Sequence, residues 1–162
     1  LNPSGRRPIF PRTRPDAGPR PFLTRLTSDV GWTDYPAISR DGKMLAYASD
    51  RAGEGDLDIW VHQIADGSAA RLTRDAGDDT EPSFSADGSR VAFHSSRAGG
   101  GVYVVSTIGG DERLLAKGGY SPRFSPGRGH RWPCWRGVTS PGSSCCCTRP
   151  TSEPGVRRQS AP

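Results

Sequence analysis

The chain has 162 residues, with 33% hydrophobic residues, 21 Gly, 15 Pro and a formal net charge of +5. That length holds one domain with a core, and the composition suits short strands joined by many turns. It excludes a helical membrane span, because no stretch approaches the roughly 18 apolar residues required, and Leu1–Pro8 shows no apolar signal-peptide region.

The charge is unevenly divided. Residues 1–25 hold six Arg against Asp16, residues 26–117 hold nine Lys/Arg against fifteen Asp/Glu, and residues 118–162 hold seven Arg against Glu153. The organised middle is therefore acidic, which argues against specific nucleic-acid binding there, since that function needs a basic patch on the folded part. The Arg/Pro-rich flank 1–23 reads as a disordered linker. All four Cys lie at Cys134 and Cys145–Cys147. They form neither a C-x-x-C pair nor a zinc-ligand spacing, so no metal site is expected from them.

In chain order, Arg25-Leu26-Thr27 precedes a short predicted strand, Ala37–Ser39. Asp41-Gly42 then supplies a hairpin turn, because Gly accepts positive φ and Asp tolerates it. Met44–Ser49 follows as a strand with Leu45 and Tyr47 on one face and Ala46 and Ala48 on the other. The loop Asp50–Asp56 leads to a strand over Leu57–His62, a turn at Asp66-Gly67 and a last strand over Ala70–Thr73.

The whole unit then recurs. Tyr35–Arg51 matches Glu81–Arg97 at an offset of 46 residues without a gap, and Arg71-Leu72-Thr73 matches Arg25-Leu26-Thr27. Val91 and Phe93 take the face of Leu45 and Tyr47. Gly101–Val105 follows as the next strand, Gly109-Gly110 marks a turn, and Arg113-Leu114-Leu115 opens a third copy that continues at Ser121–Pro126. A period of about 40–45 residues with four strands per unit is the pattern of propeller blades. After Pro126 the expected Asp-Gly turn and alternating strand give way to Arg, Pro, Gly, Ser, Cys and Trp. This change suggests a shifted reading frame, and residues 127–162 are expected to stay unfolded.

The P-x-[Ile/Phe]-S-x-D-G core, the L/V-A-aromatic strand, the Ser-x-Arg loop, the D-I-W or V-Y-V strand and R-L-T resemble the WD40-like repeat of TolB-type β-propellers. The resemblance covers residues 24–126. It implies an all-β fold, a partial propeller of four-stranded antiparallel blades with disordered flanks, divided at about 24–70, 71–112 and an incomplete 113–126. It also implies a non-catalytic module that binds a protein or peptide partner, in a periplasmic or other extracytoplasmic setting. The same repeat serves as the sensor-like tail of bacterial Ser/Thr kinases or winged-helix regulators, and as the gate of prolyl oligopeptidase-type serine peptidases. Open blade faces would need the rest of a propeller, or self-association, to cover them.

The residues that recur in phase are Pro36, Ser39, Asp41, Gly42 and Arg51 in the first copy, and Pro82, Ser85, Asp87, Gly88 and Arg97 in the second. They are expected to be structural. No catalytic, cofactor or metal residues are expected. No G-x-S-x-G elbow occurs. His94 and Ser95 are neighbours on a strand, which point to opposite faces. His62 reads as a surface residue. The acidic loop Asp50–Asp58 lacks the EF-hand order of ligands, and its twin Ser96–Gly101 has no acids. Asp75, Asp78, Asp79 and Glu81 read as a solvated rim. Of the aromatics, Trp32 is expected to be exposed, and Tyr35 and Trp60 to pack in the core.

Overall fold

A computed structural model describes residues 23–28, 30–124 and 133–137. Within them the chain forms two four-stranded antiparallel sheets in simple meander order. The first contains β1 (Thr33–Ile38), β2 (Met44–Ser49), β3 (Asp58–Gln63) and β4 (Ala69–Arg71). The second contains β5 (Asp79–Phe84), β6 (Arg90–Ser95), β7 (Gly101–Ser106) and β8 (Arg113–Lys117). A third sheet begins with β9 (Gly119–Phe124) and β10 (Pro133–Gly137). Among the described residues no helix is long and apolar enough to cross a membrane.

The sequence repeat is reproduced bond for bond in the first hairpins. Ala37 faces Ala46 and Ile38 faces Leu45 in the first sheet, and Ser83 faces Ala92 and Phe84 faces Val91 in the second. Each first strand is longer than its apolar core suggests, because it continues through a β-bulge. Between Asp34 and Ala37, and again between Thr80 and Ser83, two residues stand opposite one. The first bulge residue has positive φ in every copy: 53° at Tyr35, 54° at Glu81 and 49° at Ser121. Each of these residues precedes a proline, whose missing N–H falls where the ladder is already broken.

Sheets stack by joining unlike faces. Val91, Phe93 and Val105 on the second sheet, with Phe84, pack against Ala46, Ala48, Ile59, Val61 and Leu72 of the first. The small alanines leave room for the rings, and Phe93 stacks on Tyr103 with centroids 5.9 Å apart. The corresponding large face of the first sheet has no described sheet against it. Ile38 is 63% exposed, whereas its counterpart Phe84 is 8% exposed.

Three expectations need correction. The R-L-T segment does not open a repeat: Arg71 ends β4, the outer strand of the first sheet. Arg113 is not in register with Arg71. Arg71 pairs with Trp60, but a bulge at Leu115 sets Leu114 opposite Tyr103 and moves Arg113 opposite Val104. Finally, within residues 127–162, expected to stay unfolded, β10 pairs with β9. It occupies the place of a second blade strand, because β9 would otherwise present an open row of backbone donors and acceptors. Even the bulge is kept, between Cys134 and Arg136. The remainder of that stretch and the flank 1–22 lie outside the described residues.

Candidate interaction surface

Two connections meet at one end of the strands: the β2–β3 loop, residues 50–57, and the linker from β4 to β5, residues 72–78. They are knitted together through backbone groups. Gly77 N–H donates to Asp56 Oδ2 at 3.1 Å, Leu57 N–H to Asp78 Oδ1 at 3.0 Å, and Asp79 N–H to the Leu57 carbonyl at 2.7 Å. Ser96 N–H donates to the Asp78 carbonyl at 2.9 Å, and Asp50 N–H repeats that bond to Trp32 one unit earlier at 3.3 Å. The Trp32 N–H in turn reaches Asp50 Oδ1 at 2.8 Å.

Two arginines on the same face of successive sheets lie over aromatic rings. The Arg51 guanidinium sits 4.4 Å from the Trp60 ring centroid and donates to the Tyr47 hydroxyl at 2.9 Å. Arg97, its counterpart, sits 4.1 Å from the Tyr103 centroid and 5.7 Å from that of Phe93. Such a stack holds the charge where a planar guanidinium is weakly hydrated and gains from the ring quadrupole. Arg97 also forms ion pairs with Asp75 and Glu112 and lies 3.9 Å from Asp79 Oδ1. Burial opposes the charge on Arg97, but Glu112, Asp79 and Asp75 more than offset it and raise its affinity for the proton.

Arg71 is the third fixed cation. It pairs with Glu54, and at 2.8 Å with Asp58 Oδ2, while its Nε donates to the Thr73 carbonyl at 2.9 Å. The same Nε bond recurs from Arg25 to Thr27 at 2.7 Å. Carboxylate oxygens of Glu54, Asp56 and Asp58 lie within 4.8 Å of one another, which is close enough to hold a cation. Arg71 already supplies positive charge to two of the three. Burial raises the Asp58 carboxyl above the usual range, and the hydrogen bond and charge of Arg71 oppose that rise.

Of the in-phase residues, Arg51 and Arg97 belong to this end, and the turn residues Ser39, Asp41 and Gly42, with Ser85, Asp87 and Gly88, occupy the opposite end of the strands. The Ser39 hydroxyl donates to Asp41 Oδ1 at 2.7 Å and accepts from Met44 N–H at 2.9 Å, and Lys43 N–H donates to Asp41 at 3.1 Å. Ser85, Asp87, Ser89 and Arg90 make the same set at 2.6, 3.0 and 3.1 Å. Gly42 and Gly88 both have φ of 71°, which closes the turn. Pro36 is exposed, whereas Pro82 and Pro122 are buried, because the first bulge alone of the three has no described sheet packed over it. A hollow of about 330 Å³ lies between the two turns, lined by Arg40, Asp41, Ala86, Asp87 and Gly88.

Several side chains depart from expectation. Tyr35 is 42% exposed rather than in the core, since the bulge rotates it outward; Glu81 and Ser121 at the same place bond to each other. Trp32 is exposed as expected, and Trp60 is half-buried under Arg51. His62 is buried, not superficial, because it stands in β3 between Leu45 and Ala69. His94 is half-buried, its Nδ1 3.4 Å from the Thr80 hydroxyl. Asp79 does not belong to a solvated rim: it is 1% exposed. Sequence reasoning missed Asp58, Asp79 and Glu112 as buried or half-buried partners of Arg71 and Arg97. The in-phase arginines signalled only that partners were needed.

Meander sheets of four strands, stacked large face on small face, define consecutive blades of a β-propeller. The sequence pattern of the TolB beta propeller domain matches residues 24–131, and the chain belongs to that family. It is similar to the putative TolB from Agrobacterium tumefaciens, with 25% identity and a TM-score of 0.58 over 71% of this chain and 42% of that one. It is similar also to TolB from Acinetobacter baumannii, with 27% identity and a TM-score of 0.54 over 69% of this chain and 31% of that one. The chain thus spans less than half the length of either. A search of curated proteins returned no match.

Proposed function

We propose that this propeller unit is a non-catalytic protein-interaction module whose loop end binds a partner protein or peptide of basic or neutral surface. The observation that supports the reading is the knitted pair of connections. Asp56 and Asp78 are held in place by main-chain bonds and Glu54 and Asp75 by Arg71 and Arg97, and Glu54, Asp75 and Asp78 remain exposed. A preorganised charged surface of this kind favours association without the cost of ordering a loop. An acidic surface also repels a phosphate backbone, so nucleic acid is not the partner. The open face around Ile38 is suited to cover by a further blade or by a second copy of the chain.

Titration calorimetry with a Lys/Arg-rich peptide and its Asp/Glu-rich counterpart tests this reading at low and high salt. Binding of the basic peptide alone, weakening as charges are screened over about 8–10 Å at physiological ionic strength, is expected. Salt-independent capture, or preference for the acidic peptide, overturns it. Turnover of ester or peptide substrates by purified protein would end the non-catalytic reading.

A further inference from the structure

Three carboxylates converge on the single guanidinium of Arg97, and they come from three places in the chain: Asp75 from the linker, Asp79 from β5 and Glu112 from the approach to β8. The set therefore carries one more pair of negative charges than positive ones when all are ionised. Asp79 is the member without access to water, and neither of its oxygens has a hydrogen-bond partner of good geometry. Ser95 and Thr73, both fully buried, flank it with their hydroxyls. Thr73 Oγ1 accepts Ile59 N–H at 2.9 Å, which leaves its own hydrogen to donate, and Ser95 stands opposite Asp79 in the β5–β6 ladder.

We propose that Asp79 is a proton-operated latch between the first and second blades, which closes on mild acidification. Protonated, it becomes a donor to a neighbouring hydroxyl and leaves Arg97 wholly to Asp75 and Glu112, fastening the linker to the second sheet. Ionised, it competes for Arg97 and burdens the seam with a buried, unmatched charge. Burial pushes the Asp79 carboxyl up to about 6, against the lowering effect of Ser95, Thr73 and Arg97. A raised carboxyl makes stability greatest at low pH and removes it as pH rises through that value. The other charged groups around the seam are Asp56, Asp58 and Arg71 beside Leu57, whose carbonyl accepts the Asp79 N–H, together with Asp78, Glu81 and His94. None of them is buried against Arg97 as Asp79 is.

The test is hydrogen exchange of β5 amides in the whole chain, corrected for intrinsic rates, at pH 7 and pH 5. Protection should rise about tenfold on acidification, because pH 5 lies about one unit below a native carboxyl at about 6 while the carboxyl of the unfolded chain stays ionised at both pH values. In Asp79→Asn the gain should vanish, with protection already high at pH 7; His94 is unchanged in that variant. Carbon-detected NMR titration of the wild-type Asp79 carboxyl needs no variant and should show a midpoint near 6. A midpoint in the ordinary carboxylate range, or full pH dependence surviving in Asp79→Asn, overturns the latch. The basic-peptide experiment above is independent of either result.

Discussion

The Ser85 hydroxyl donates to Asp87 Oδ1 at 2.6 Å, so the aspartate of the second turn is held by a residue two positions before it and by Ser89 two positions after. These bonds, led by that from Ser85, hold the Asp87 carboxyl down at about 2. Replacing Asp87 with Ala should lower stability by about 1 kcal/mol, the usual worth of a turn-closing hydrogen-bond set. A folded carboxyl below its unfolded value lends stability above about pH 4 and loses it as pH falls toward 2. Urea titrations across that window should show a shallower acid slope in Asp87→Asn than in the wild type, with the remainder carried by carboxyls such as Asp41 that are held down in the same way.

Arg97 should be the costliest single charge to remove. It serves Asp75, Glu112 and Asp79 and covers Tyr103. Arg97→Ala leaves buried acid uncompensated and should cost about 3–5 kcal/mol. Arg97→Lys should recover only part, because an ammonium has neither the fork nor the planar stack. Chemical denaturation of the two variants checks the order.

The stacking of unlike faces predicts opposite responses to size. Phe93→Ala, at a fully buried ring, should cost about 3–5 kcal/mol. Ala48→Leu, which intrudes on the space those rings fill, should cost about 1–3 kcal/mol. Ile38→Ala, on the uncovered face, should change stability by less than about 0.5 kcal/mol. Thermal melts of the three at one protein concentration decide the matter.

Gly101 has ordinary backbone geometry and is still fixed by its surroundings. A Cβ there would lie 2.7 Å from the Ala116 carbonyl oxygen and 2.9 Å from Leu114 Cδ1. Gly101→Ala should therefore loosen β8 and destabilise the chain by about 1–3 kcal/mol. Faster amide exchange across Arg113–Lys117 than in the wild type would be its signature.

The parts of the fold written in local chemistry were legible in the sequence. Asp41-Gly42 and Asp87-Gly88 announce their turns because few other residue types close them, and alternation of Ala with Tyr or Phe announces both faces of β2 and β6. The bulges were not legible. Tyr35, Glu81 and Ser121 share no side-chain chemistry, and only the proline after each records the irregularity. The charged site was legible in half. Arg51 and Arg97 recur because each covers an aromatic ring. Their acids do not recur in phase, since Asp75, Asp79 and Glu112 reach Arg97 from three different elements. The strand β10 was hidden for a different reason: its place is set by the open edge of β9 rather than by its own residues.

The difference between the two faces of each sheet also gives the stack a polarity. A surface of rings laid on a like surface overfills the gap, and one of alanines laid on alanines leaves it empty; only unlike surfaces match. A two-fold dimer, which must bring identical patches together, is therefore the wrong symmetry for the exposed side of the first sheet. Whatever seals Ile38 has to approach with its small-residue side first. Each added unit then repeats the same rotation as the last, so the choice between a closed ring and an open spiral rests on the angle that Phe93 and Ala48 set between neighbours.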